Sequence, residues 1–202
     1  MNVAEIMRVT GEHVVIVLIS VVVAIVAGIP LGVWCTRRAA ASQVVLRAVD
    51  VVQTIPSLAL FGLLIPIPLI GGIGMRTAIV ALILYSLLPI VRNTFVGIRG
   101  VDPVVRDAGI ALGLTPRQLL FDVELPLAMP SIVAGIRIAT VIGIGVATIA
   151  AAVGGGGLGT FIFRGVAMVD TRLILAGALP AAALALIADV VLSAVERRVI
   201  KG

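Results

Sequence analysis

The sequence predicts an all-α integral membrane protein with about five transmembrane helices and a cytoplasmic helical hairpin. Three observations carry this expectation. Residues are 61% hydrophobic and 12% charged, with mean hydropathy +1.27, far from the roughly half-apolar, quarter-charged composition of soluble domains. The apolar residues gather in charge-poor runs near the length of about 20 residues that crosses a bilayer. One polar segment, DPVVRDAGIALGLTPRQLLFDVELP from Asp102 to Pro126, interrupts them with glycines, prolines and four acids.

The runs place spans near residues 14–34, 51–70, 75–97, 130–153 and 173–193 of a single membrane domain, 1–202, with a loop at 99–129. The first run ends in Trp34, Cys35, Thr36, Arg37 and Arg38. An interfacial aromatic followed by charges borders an uncleaved span rather than a secretory leader. The third run has its apolar stretch at 77–91 and gains length from flanking residues. Val, Ile, Ala and Gly dominate the spans, and small residues let helices approach closely in lipid. Pro30, Pro56, Pro66, Pro68, Pro89 and Pro180 are expected to interrupt spans or their ends, leaving carbonyls that neighbouring helices must satisfy. No internal repeat is evident, no soluble domain is expected at either end, and the single cysteine permits neither an intrachain disulfide nor a metal cluster.

A net charge of +5 invites a nucleic-acid reading, but the basic residues are scattered between spans rather than gathered in a patch. Their distribution is topological. One side receives ten, Arg37, Arg38, Arg47, Arg92, Arg99, Arg106, Arg117, Arg197, Arg198 and Lys201, and the other four, Arg8, Arg76, Arg164 and Arg172. The positive-inside rule then puts the polar loop and the C-terminus in the cytoplasm and the N-terminus outside.

The loop reads as a helix, a glycine turn and a second helix. Asp102 can cap the first-turn amides, and Pro103 follows where a missing N–H costs nothing. That helix can run to Leu112, with Gly113 where a left-handed residue is wanted. Thr115, Pro116 and Gln118 make a capping-box pattern for the second helix, which must stop near Glu124 or Leu125 because Pro126 pushes its predecessor out of helical conformation. Helical spacing puts Val105, Ala108 and Leu112 on one face, with Arg106, Asp107 and Ile110 away from it. On the second helix Leu119, Leu120 and Val123 face together, opposite Gln118 and Asp122. Such a hairpin can lie on the bilayer, yet Asp107, Asp122 and Glu124 would then face anionic lipid, so docking on another protein suits it better.

These residues carry a resemblance. Asp107-Ala108-Gly109, three residues, Gly113, nine residues and Val123-Glu124-Leu125-Pro126 is similar in spacing to the EAA loop of binding-protein-dependent, MetI-like ABC transporter permeases, with Asp for Glu, Gly for Ala and Val for Ile. The stretches QTIPSLALFGLLIP (53–66), LLPIVRNTFVGI (87–98) and AAVGGGGLGTFIFRG (151–165) resemble the branch importing osmoprotectants such as glycine betaine, choline or carnitine. Methionine-type permeases share the glycine-rich segment and much of the loop. The resemblance implies that Arg106, Asp107, Ala108, Gly109, Gly113, Thr115, Asp122, Glu124, Leu125 and Pro126 couple to a cytoplasmic ATP-binding subunit. That partner would hold ATP and Mg, leaving this chain without a cofactor. It also implies an external substrate-binding protein and a second permease, identical or paralogous, in the cell's inner membrane.

Other chemistries fit poorly. Gly154 to Gly157 with Gly159 lacks the Lys and Ser/Thr of a phosphate loop and the preceding strand; it is expected to be a span end before an external re-entrant turn. Membrane proteolysis by a serine needs a buried histidine, and His13, the sole one, sits at the edge of the first span, where an interfacial role is expected. Asp50 and Asp189 lie near span ends, and such scarce membrane carboxylates argue against proton coupling. Gln53, Ser57, Tyr85, Ser86, Asn93 and Thr140 can line a path or bond between helices. Arg137 is expected to snorkel toward the cytoplasmic interface. With one Trp, one Tyr and five Phe, a cage over a quaternary ammonium is expected on a separate binding protein. The rival readings are a permease of the same class for methionine or another amino-acid-derived solute, a passive channel or ion-coupled carrier, and a scaffold without transport.

Overall fold

A computed structural model describes residues 3–201. The described residues form helices α1 (Val3–Arg37), α2 (Ala39–Thr54), α3 (Ser57–Leu64), α4 (Met75–Arg99), α5 (Pro103–Ala111), α6 (Pro116–Gln118), α7 (Leu125–Ile149), α8 (Gly159–Met168) and α9 (Thr171–Lys201). A π-helical turn, Leu119–Glu124, joins α6 to α7, and a 3₁₀ turn, Ala150–Val153, ends α7. Among the described residues, four helices are long and apolar enough to cross a membrane, or five if the bent pair α2–α3 is one span.

That pair corrects the second expected span. Residues 51–70 do not form one helix: α2 and α3 meet at 103°. The bend falls at Ile55, whose ψ of 125° is extended, because the ring of Pro56 excludes the α conformation from its predecessor. Pro66 and Pro68 follow the end of α3 at Leu64, as expected, but the interruptions expected at Pro30, Pro89 and Pro180 do not occur. α1, α4, α7 and α9 pass through Pro30, Pro89, Pro130 and Pro180.

Helix α4 packs against α1 on one side and α7 on the other; α7 in turn carries α9, and α2 and α3 lean on α4. Glycines set the spacing. A Cβ at Gly32 of α1 would stand 2.7 Å from Thr94 Cβ of α4, and one at Gly135 of α7 would stand 2.7 Å from both Asn93 Cβ and the Pro89 carbonyl. Backbones this close gain dispersion contacts that lipid tails cannot match. The largest apolar cluster joins Ile16, Val17, Phe61, Leu82, Tyr85, Ile144 and Ala147 where α1, α3, α4 and α7 meet. Helix α9 presents Leu179, Leu186, Ile187 and Val190 outward, as a helix bordering lipid does.

His13 lies inside the fold rather than on its surface. It is fully buried between α1, α7 and the glycine segment: its Nε2 lies 3.1 Å from the Ile144 carbonyl and its Nδ1 accepts the Leu158 N–H at 3.4 Å. With Nδ1 accepting, Nε2 carries the proton and donates. Gly157 N–H reaches Glu12 at 3.5 Å, so the loop at 154–158 is pinned to α1 rather than loose. Gly154, Gly156 and Gly157 have φ of +75°, +79° and +76°, a left-handed run that side chains would oppose. Beyond it the chain does not turn back toward the hairpin. Phe161 packs with Val9, and Arg164 shares a cleft with Glu5, so α8 climbs along the N-terminal end of α1 before α9 reverses.

Candidate functional site

The hairpin stands at the opposite end of the bundle from the glycine segment, and local chemistry builds it. Asp102 accepts the Val104 N–H at 2.8 Å, and Pro103 opens α5. At the other end Gly113 (φ +81°) lets its own N–H reach the Ile110 carbonyl at 2.9 Å and the Leu114 N–H reach the Gly109 carbonyl at 3.1 Å. That double bond pattern is a Schellman cap. Thr115 and Gln118 cap α6 reciprocally: Thr115 N–H donates to Gln118 Oε1 at 2.9 Å, and Gln118 N–H to Thr115 Oγ1 at 3.3 Å.

The expected stop before Pro126 does not occur. Leu125 keeps helical angles (φ −64°, ψ −48°), and its N–H bonds the Leu120 carbonyl five residues back. The wider π turn carries the chain past the proline ring, which in a regular helix presses on the carbonyl four residues behind it. The second arm of the hairpin and the fourth span are therefore one body, from Pro116 to Val153.

The inner face of α5 also differs from the expected one. Val105 and Leu112, expected inward, are 41% and 83% exposed. Gly109 turns inward instead: a Cβ there would meet Leu119 Cδ1 at 2.9 Å and Leu114 Cδ1 at 3.2 Å. Glycine at this position permits the close arm-to-arm contact. Arg106, expected to point away, lies on the same inner side. On the second arm Leu119 is buried, Leu120 and Val123 are half-buried, and Gln118 and Asp122 are exposed.

What pulls Arg106 inward is Glu124. Its carboxylate, expected on the outer surface, is fully buried. Arg106 Nε lies 3.0 Å from Oε1, and Arg37, in the last turn of α1, reaches both oxygens. A carboxylate leaves water at a cost of several kcal/mol unless paired and hydrogen-bonded, and here both oxygens find guanidinium donors.

The coupling residues named from the sequence thus divide. Asp107, Ala108, Thr115 and Asp122 form outer surface together with Val104, Ile110, Leu112 and Phe121, and the Arg117 guanidinium stands 5.9 Å over the Phe121 ring. Gly109, Gly113, Leu125 and Pro126 shape the backbone. Arg106 and Glu124 are internal.

The six candidate path residues do not converge. Gln53 Nε2 donates to the Tyr85 carbonyl at 2.8 Å, and the Tyr85 hydroxyl bonds the Ile55 carbonyl. Asn93 donates back to the Pro89 carbonyl at 2.7 Å and Thr140 to the Ile136 carbonyl at 2.8 Å. Ser57 opens α3, half-buried, and Ser86 is buried in α4. Thr140 alone of the six borders a groove of about 440 Å³ between α1, α7 and α9, whose walls are otherwise mostly apolar, among them Val17, Val21, Ile144 and Leu184. Arg137 does not snorkel freely: Asp189 and Glu196 of α9 hold it at 2.9 and 2.8 Å.

Residues 28–201 match the family described as binding-protein-dependent transport system inner membrane component. The chain is 46% identical over 198 residues, 98% of its length and 90% of the relative's, to the glycine betaine/carnitine/choline transport system permease protein OpuCB of Bacillus subtilis. It is 44% identical over 98% of its length and 89% of the relative's to the choline transport system permease protein OpuBB of the same organism. Against the osmoprotectant import permease protein OsmW of Salmonella typhimurium the identity is 45%, covering 93% of this chain and 88% of that one. A solved inward-facing structure of the MetNI methionine ABC transporter shares the fold, with TM-score 0.88 at 23% identity over 98% of this chain and 99% of that one. By sequence and by helical architecture, the chain belongs to the binding-protein-dependent transport system inner membrane components, the membrane-spanning permeases of ABC importers.

Proposed function

We propose that this chain is the permease subunit of an ATP-driven importer of osmoprotectants, small quaternary amines such as glycine betaine, choline or carnitine. The near-full-length likeness to permeases named for those solutes supports the substrate class; the methionine transporter resembles it in fold at much lower identity. The observation that carries the mechanism is the continuity of the hairpin with α7. An apolar and mixed-charge surface, Val104, Ile110 and Leu112 with Asp107 on the first arm and Phe121 with Asp122 on the second, stands on a hairpin whose second arm runs unbroken into the bundle.

A cytoplasmic ATP-binding subunit docks on that surface and carries ATP and Mg. When two such subunits close on ATP, the hairpin moves, α7 moves with it, and the spans of a permease pair open toward a loaded external binding protein. The second permease is a copy of this chain or a paralogue. The basic-residue count supports a cytoplasmic hairpin and C-terminus and an external N-terminus. Selection belongs to the binding protein: Phe61 and Phe161 are fully buried in different clusters and Phe121 lies in the hairpin, an arrangement that suits a low-affinity passage.

Uptake of labelled glycine betaine and choline by the reconstituted complex tests the reading. Transport that needs ATP and binding protein, and that is lost on introducing a charge at Leu112 (Leu112→Asp) together with binding of the ATP-binding subunit, is expected. Transport that continues without ATP under a clamped membrane potential rejects it in favour of a channel or carrier.

A further inference from the structure

The chain holds the hairpin to the bundle at both ends, through residues 100–102 from α4 and through the continuous helix into α7. A third link runs through Glu124, whose carboxylate is fully buried at the π turn and holds Arg106 of α5 and Arg37 of α1, two guanidiniums from elements far apart in the chain. Arg37 stands at the C-terminal end of its helix, where the helix dipole favours a cation. We infer that Glu124 is a positioning residue that clamps the docking helix α5 to the end of α1, so that displacement of the hairpin drives α1 along with α7.

This rests on the docking reading above. A helix pair held only by its chain connections to α4 and α7 can swing without taking α1 along. A carboxylate shared between α5, the root of α7 and α1 removes that freedom, because pulling away either guanidinium takes donors from a fully buried carboxylate. α1 is also the helix whose far end holds the glycine segment, through Glu12 and His13. The clamp therefore joins the hairpin at one end of the molecule, by one continuous helix, to the loop at the other.

The test uses the full transporter with its ATP-binding subunit and binding protein, reconstituted in liposomes. Solute transported per ATP hydrolysed is measured beside basal ATPase and the yield of assembled complex. For Glu124→Gln, assembly and basal ATPase are expected to persist while transport per ATP falls about tenfold, the scale of typical site-to-site coupling. Wild-type transport per ATP in an assembled Glu124→Gln complex overturns the inference. Should Glu124→Gln fail to assemble, the triple variant Arg37→Met, Glu124→Met, Arg106→Met decides, since replacing a whole buried ion cluster by apolar residues preserves or raises stability. Assembly with lost coupling supports the clamp, and assembly with full coupling overturns it, because apolar packing would then suffice. Leu112→Asp separates this from the docking reading: if it leaves subunit binding intact, the docking surface is wrong whatever Glu124 does.

Discussion

Gln53 donates its side-chain amide to the Tyr85 carbonyl, 2.8 Å away, and that carbonyl is the one Pro89 deprives of its helical donor four residues on. The pairing gives Gln53 a structural role. It also explains how α4 runs straight through a proline in the middle of a membrane span, where no water reaches the freed group.

Removing the donor is therefore expected to cost stability rather than selectivity. Gln53→Leu leaves the Tyr85 carbonyl unpaired, a penalty of about 1–3 kcal/mol, read as a lower unfolding temperature in detergent with an unchanged ranking of transported solutes. In a Pro89→Ala background the new Ala N–H supplies the helical bond, so the cost of Gln53→Leu should fall by at least about half, the coupling a double-mutant cycle detects. Equal costs in both backgrounds would remove Gln53 from this role.

Close helix packing gives a second expectation. A methyl at Gly135 meets Asn93 Cβ and the Pro89 carbonyl at 2.7 Å, whereas one at Gly145 meets nothing within 4 Å. Gly135→Ala should then destabilise the protein by about 1–3 kcal/mol, the usual cost of overpacking. Gly145→Ala on the same helix should be neutral or slightly stabilising, within about 1 kcal/mol, through its better helix propensity. Thermal unfolding of the two variants side by side checks the contrast.

What could be read from the sequence was mostly local. The Asp102 and Thr115 caps and the Gly113 turn were legible because each depends on residues within a few positions. The direction in which Arg106 points was not, since it is set by Glu124, whose other partner Arg37 lies 87 residues away. His13 escaped for the same reason, its acceptor being Ile144, 131 residues on. Prolines misled in one direction only: Pro56 breaks its helix, but Pro89 and Pro126 do not, because a side-chain donor and a π turn compensate for them. Neither compensation leaves a mark in hydropathy. Several candidate path residues, Gln53, Tyr85, Asn93 and Thr140, are engaged with backbone carbonyls, because polar side chains in lipid are as readily used to satisfy backbone as to line water.

Buried His13 supplies the next expectation. It accepts the Leu158 N–H and donates to the Ile144 carbonyl, holding the left-handed glycine run against α1. His13→Ala removes both partners and opens a void, so it should destabilise the protein by about 2 kcal/mol or more and expose the 154–158 loop to hydrogen exchange. His13→Gln retains a donor and an acceptor and should recover part of the loss. Unchanged exchange at Leu158 in His13→Ala would mean that the glycine loop is held by other contacts.

The turn between α8 and α9 carries the last expectation. Val169 sits at φ +54°, in the left-handed region, and is 90% exposed. A β-branched side chain there crowds its own backbone at a cost of about 1–2 kcal/mol, and nothing at so exposed a site offsets it by burial. Asn tolerates this conformation far better, and its side chain does not have to replace any packed contact. Val169→Asn should therefore raise stability by about 0.5–1 kcal/mol, seen as an increase of a few degrees in the unfolding temperature of the purified protein. An unchanged or lower temperature would mean that the left-handed conformation at Val169 costs the isolated chain nothing. Repeating the measurement on the full complex shows whether the Val169 side chain is covered there, since only a covered side chain lets the complex lose stability on substitution while the isolated chain gains it.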